Sequence, residues 1–150
     1  MSSQAFKHIV RIAGTDLDGS KKVVYALADI RGIGVTTAYA ITRTLGIDPE
    51  ARLGFLSDSD IKKLEEAVLN LATIGLPSWL FNRRKDYTTG KDLHLVGSDL
   101  IMAVKFDVDR MKKIRCWRGI RHMLGLKVRG QRTRTTGRFG PTVGVKRKPK

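Results

Sequence analysis

The sequence predicts a mainly α-helical chain that ends in an extended basic tail, and three observations carry that prediction. Apolar residues recur at helical spacing in four or five stretches between Lys22 and Leu124, most of them stopped by glycine or proline. Only one segment, His8-Ile-Val-Arg-Ile-Ala13, is short, apolar and β-branched enough to suggest a strand. The charge is also lopsided: residues 1–109 carry 14 basic and 14 acidic side chains, whereas residues 110–150 carry 15 basic and no acidic ones.

Taken in order, His8 to Ala13 reads as a single strand or an extended docking arm, closed by Gly14, and Asp16 to Ser20 reads as a turn. Lys22 to Ile30 follows as a short helix with Val23, Ala26, Leu27 and Ile30 on one face. Gly32-Ile33-Gly34 separates it from a helix over Val35 to Leu45, which Gly46 stops before the Asp48-Pro49 turn. Ser57-Asp58-Ser59-Asp60 supplies capping side chains for a third helix. Its apolar face is Ile61, Leu64, Val68, Leu71 and Ala72, and Gly75 and Pro77 end it.

Pro77 to Gly97 has no clear period and reads as a partly ordered connection. Ser98 is expected to cap a long helix with an inner face of Ile101, Val104, Val108, Met111 and Ile114. Its basic end (Arg110, Lys112, Lys113 and Arg115) suits the negative helix C-terminus. A short helix over Arg118 to Leu124 stops at Gly125, and residues 127–150 lack helical or strand periodicity. The expected organisation is a helical domain over 1–76, an irregular connection over 77–97, a long helix plus a short basic helix over 98–126, and a tail over 127–150 that orders only on its partner. No internal repeat is visible.

A net charge of +15 held wholly within the last 41 residues points to a polyanionic partner. A membrane-surface role would need a basic helix with a strong apolar face, whereas only scattered Val128, Phe139, Val143 and Val145 follow Leu126. Cys116 is the sole cysteine, which excludes an internal disulfide or a multi-cysteine zinc site. His8, His94 and His122 are scattered, so neither metal nor cofactor is expected. With no signal-like or membrane-spanning apolar run, the expected location is the cytoplasm.

Two motifs carry the chemistry. Ile30-Arg31-Gly32-Ile33-Gly34, with Ala38 and Ile41 beyond it, matches a helix-hairpin-helix turn. In one reading, its glycines let the backbone approach a partner, and the N–H groups opening the second helix take a phosphate. In the other, they permit a compact helix–helix turn and nothing more. The second motif runs from Arg115 to Thr135 and alternates guanidinium groups with glycines and hydroxyls. Arginine grips phosphate bidentately and stacks on unpaired bases, and glycine lets the chain follow a groove. Arg118 and Arg121 fall three apart, and Trp117 is either a core anchor or a stacking surface.

The run Arg-Gly-Ile-Arg-His-Met-Leu-Gly-Leu-Lys-Val-Arg-Gly-Gln-Arg-Thr-Arg-Thr over 118–135 resembles the signature of the universal small-subunit ribosomal protein thirteen family. Its cytosolic eukaryotic members are called ribosomal protein eighteen. The Arg31–Gly34 turn and the Phe6 to Gly14 opening fit the same family, so the resemblance covers nearly the whole chain. The segment Pro77 to Asp86 and the ending Thr136 to Val145 resemble the archaeal and eukaryotic branch. The bacterial pattern has Tyr where Trp117 stands and a different tail after Thr135, so tail contacts of bacterial members transfer less directly.

The resemblance implies a helix-two-turns-helix core, a helical hairpin and an extended tail. It implies a structural constituent of the small-subunit head that binds ribosomal RNA and is not an enzyme. Its tail would reach transfer RNA in the peptidyl site, its N-terminal part would join an inter-subunit bridge beside a large-subunit protein, and its neighbour would be small-subunit protein nineteen. The residues expected on RNA are Arg31, Gly32, Ile33, Gly34, Arg115, Arg118, Arg121, His122, Lys127, Arg129, Gln131, Arg132, Thr133, Arg134 and Thr135, followed by Arg138, Lys146, Arg147 and Lys148. A base-flipping repair enzyme also uses hairpin-helix elements, but Asp29, Asp99, Asp107 and Asp109 all fall on helix surfaces and the chain is short for such a pocket. A nucleic-acid chaperone would need only charge, and the balanced, well-patterned first two-thirds argues against one.

Overall fold

In the computed structural model, which describes residues 6–136 together with Gly140 and Gly144, the chain opens as a hairpin. Strand β1 (Ile9–Ile12) pairs antiparallel with β2 (Thr15–Asp18), in a register from Ile9 opposite Asp18 to Ile12 opposite Thr15. The two residues between them, Ala13 (φ 48°) and Gly14 (φ 74°), both take positive φ, as the two-residue turn that follows strand twist requires. The expectation of a lone strand or arm with a turn over Asp16–Ser20 is therefore corrected. Asp16-Leu17-Asp18 is a return strand with Leu17 buried between two exposed aspartates.

Helix α1 (Val23–Ala28) is shorter than its apolar spacing suggests. Lys22 is extended and bridges to Arg52, and Ile30 stays buried in the turn beyond the helix. Helix α2 (Val35–Thr44) presents Thr37, Ala38, Ile41 and Thr42 to the core. The Thr42 hydroxyl is buried without loss because it donates to the carbonyls of Ala38 (3.1 Å) and Tyr39 (3.0 Å). Helix α3 (Asp58–Leu69) starts at Ser57, whose hydroxyl accepts from the Asp60 N–H (3.2 Å) and donates to the Asp60 carboxylate (2.6 Å). It ends at Asn70 rather than Gly75, and Leu71 is buried outside it.

These elements close one core in which Ile12, Leu17, Val23, Val24, Leu27, Ile30, Ile41, Leu53, Leu64, Val68 and Leu71 are essentially inaccessible. Burying each such side chain stabilises by roughly 1.5–3 kcal/mol. Phe81 joins the same core from the irregular segment 77–97. Within that segment Arg83 and Leu93 exchange both backbone bonds, and the Asn82 amide pairs with Leu95 on both sides. The Asp86 carboxylate gathers Arg83 Nε (2.5 Å), the Thr88 hydroxyl (2.6 Å) and the Thr89 N–H (3.1 Å). The Thr88 and Arg83 bonds hold its carboxyl well below the usual carboxylate range.

The chain divides into two compact units, with the boundary at Met102/Ala103. Helix α4 (Gly97–Lys113) starts at Gly97, so Ser98 lies inside it and is not its cap as expected. The expected inner face is also corrected. Ile101, Val104 and Ile114 are exposed, Val108 and Met111 are half-buried, and no side chain of α4 is fully buried. In the second unit, α5 (Trp117–Met123) follows Arg115, which takes a left-handed φ of 55°. Among the described residues no helix is long and apolar enough to cross a membrane.

Candidate nucleic-acid interface

In the first unit the Arg31–Gly34 turn joins α1 to α2. Gly32 has φ 101°, and a Cβ there would stand 2.5 Å from the Leu95 carbonyl oxygen. The close backbone approach is thus made by the chain's own 77–97 segment, strengthened by Gly97 N–H donating to the Arg31 carbonyl (2.8 Å). Ile33 is buried and anchors the turn, while the Arg31 side chain is exposed. Gly34 is the N-cap of α2, with open space around it, no side-chain cap and no acidic residue in the first turn. An anion would therefore meet the free N–H groups of α2 without a competing carboxylate.

The second unit collects the remaining described candidates. Helix α5 is seated by Cys116, whose sulfur accepts from the Gly119 N–H (3.4 Å) and lies 3.5 Å from the Met111 carbonyl. Gly119 is the one fully buried residue among the described residues of this unit, and a Cβ on it would collide with the Met111 backbone. Residue spacing does not single out Gly119. The available signal is a glycine inside a helix, which is unfavourable by about 1 kcal/mol relative to alanine unless backbone must come close.

Gly125 (φ 65°) stops α5, and the chain doubles back on it. Leu126 N–H donates to the Arg121 carbonyl (3.0 Å), and Arg121 Nε donates to the Lys127 carbonyl (2.9 Å). Arg121 thereby braces the reversal, with its guanidinium 5.7 Å from the centre of the Trp117 ring. Trp117 is 71% exposed, so its role as a core anchor is excluded. Arg118 and His122, one helical turn apart, share a cleft with Met111, Val128 and Arg129.

Beyond it Arg129 N–H donates weakly to the Gln131 side chain (3.4 Å), and Arg132, Thr133, Arg134 and Thr135 are exposed without regular structure. Arg138, Lys146, Arg147 and Lys148 lie outside the described residues. Carboxylates stop at Asp109, where Asp107 and Asp109 pair with Arg110 and Lys112. Among the described residues Arg115, Arg118, Arg121, Lys127, Arg129, Arg132 and Arg134 have no acidic partner at all.

Comparison with known proteins gives this arrangement its family. Residues 11–139 match the family described as ribosomal protein S13/S18. The chain is 62% identical over 147 residues to the small ribosomal subunit protein uS13 of Staphylothermus marinus, covering 98% of this chain and 97% of that one. The protein of the same name from Saccharolobus solfataricus is 63% identical over 146 residues, 97% of this chain and 88% of that one. The archaeal origin of both agrees with the branch that segment 77–86 suggests. A structural ribosomal protein rather than an enzyme is what these likenesses describe, and the chain belongs to the ribosomal protein S13/S18 family of the small subunit.

Proposed function

We propose that this chain is a structural constituent of the small-subunit head that binds ribosomal RNA through two surfaces, one on each unit. The observation that carries the reading is the run of seven unpaired cations from Arg115 to Arg134, in a chain that closely resembles small-subunit ribosomal proteins. Unpaired guanidinium groups at this density repel one another until phosphates replace the missing carboxylates. Arg31 and the α2 N-terminus at Gly34 form the second surface, which takes backbone phosphate without reading bases. The residues after Gly125 order between RNA segments and extend to Arg138, Lys146, Arg147 and Lys148, and this tail reaches peptidyl-site transfer RNA. The N-terminal part joins the inter-subunit bridge beside a large-subunit protein, and small-subunit protein nineteen is the neighbour.

Truncation after Gly125 removes nine basic residues and tests this directly. The first unit should stay folded, while RNA affinity falls and the salt dependence of binding becomes shallower, by about 0.7–0.9 in slope for each phosphate that the shortened chain no longer neutralises. An unchanged slope would remove the tail from the interface. Sedimentation of extract in about 0.5 M salt, which strips loosely held polycations, should leave the chain with small subunits. Release to the top of the gradient would favour a duplex-DNA binder or chaperone instead.

A further inference from the structure

The cleft in the second unit has a chemistry that a plain phosphate-binding surface does not need. Its volume is about 640 Å³, within the size range of small-ligand pockets. Arg118 and His122 of α5 line it together with Val128 and Arg129, which follow the Arg121–Lys127 bond. Met111, near the end of α4, and Val128 supply the apolar part of the lining. Among the described residues two guanidinium groups thus line one opening without a carboxylate, beside two half-buried apolar side chains.

Cations alone would satisfy the backbone of a continuous helix, whose stacked bases present no apolar face to a cleft. Apolar side chains beside guanidinium groups in one cleft fit a group with a charged end and a flat apolar face. An unpaired nucleotide turned out of its stack has both. The imidazole of His122 adds a ring to stack on or a nitrogen for a base edge.

We propose that this cleft receives a single unpaired nucleotide of RNA, its phosphate against Arg118 and Arg129 and its base over Met111 and Val128. The inference rests on RNA being the partner and adds that one position is bound by insertion rather than along the backbone.

The test uses the full chain and two hairpin RNAs of equal length, one fully paired and one carrying a single bulged nucleotide. The bulged hairpin should bind about fivefold or more tightly, the low end of what one stacked base contributes. Val128→Trp, which fills the cleft from a non-helical segment, should abolish that preference and leave the paired hairpin within about twofold. Arg129→Gln, which puts no folded element at stake, should weaken both complexes and shrink their ratio. Equal binding of the two hairpins by the unmodified chain overturns the cleft and leaves RNA binding intact, as does a preference that survives both substitutions. Failure to bind either hairpin overturns the RNA reading itself.

Discussion

The two units of this molecule spend their side chains in opposite ways. In the first, apolar residues from β1 to Leu71 are buried against one another, and charges meet partners: Lys7 with Asp58, Lys21 with Asp29, Lys22 with Glu50 and Arg83 with Asp86. In the second, Gly119 alone is fully buried among the described residues, while Trp117, Met123 and Leu124 are each more than 60% exposed. Exposed ion pairs contribute little stability, so the pairing in the first unit matters mainly because its 13 basic and 12 acidic side chains nearly cancel. The difference teaches that the first unit buries a core of its own, whereas the described residues of the second leave apolar and cationic groups on the surface, as the proposed RNA interface requires.

Truncating equivalent bulk in each unit should expose that contrast most strongly. Leu64→Ala opens a void in a fully packed site and should destabilise the fold by about 2–5 kcal/mol in denaturant titration, with the salt slope of RNA binding unchanged. Ile114→Ala, at a side chain 68% exposed, should change stability by less than about 0.5 kcal/mol. Equal effects would mean that the second unit holds a core of its own.

Gly119→Ala comes next. The added methyl group collides with the Met111 backbone, which cannot rotate away as a side chain would, so α5 must shift on α4 at a cost of about 1–3 kcal/mol. Amide hydrogen exchange should accelerate in α5 and stay unchanged in α1 to α3. Faster exchange throughout would show that the two units melt together.

Leu64 and Ile114 also mark where sequence reading succeeds and stops. Leu64 and Val68 are legible because a 3.6-residue period identifies the apolar face of a helix. The same period picks out Ile101, Val104 and Ile114, yet it cannot say what covers a face, and these three side chains are exposed. Leu17 escapes the reading because aspartates flank it, so turn-forming residues mask a two-residue period that only the pairing with β1 makes plain. Gly32 is legible as a tight turn, but its need to admit the Leu95 carbonyl comes from a distant stretch of chain and has no local signal. The basic run is readable as an interface, whereas the cleft within it depends on a chain reversal after Gly125 that spacing does not convey.

Arg115 sharpens the comparison in the other direction, since here function and stability should separate. A left-handed φ of 55° on an arginine is strained by about 1–2 kcal/mol relative to a residue without Cβ. Arg115→Gly should therefore stabilise the α4–α5 junction by about 1 kcal/mol while weakening RNA binding. Gained stability with unchanged RNA affinity would remove Arg115 from the interface and leave its strain without a purpose.

The smallest effect expected belongs to the first unit alone and is read against pH. His94 packs edge-on to Phe81, its Nδ1 accepts from the Asn82 N–H (3.3 Å), and its Nε2 is buried without a hydrogen-bond partner among the described residues. Burial lowers its pKa below the ordinary 6.5, offset in part by the backbone of Gly32. As pH falls through about 6.5 the unfolded chain takes up a proton that the folded ring resists, so unfolding gains and stability drops. Stability is thus complete above that value and declines below it. The carboxylate of Asp86 adds a separate loss only at pH below 3.8, since its pKa is lowered from that value. Denaturant midpoints measured at about pH 7.5 and about pH 5.5 should differ for the unmodified chain and converge for His94→Gln, which keeps a neutral polar group in place. A drop that persists in the variant would assign the acid sensitivity elsewhere, and one confined to α5 would reverse the division of labour between the units.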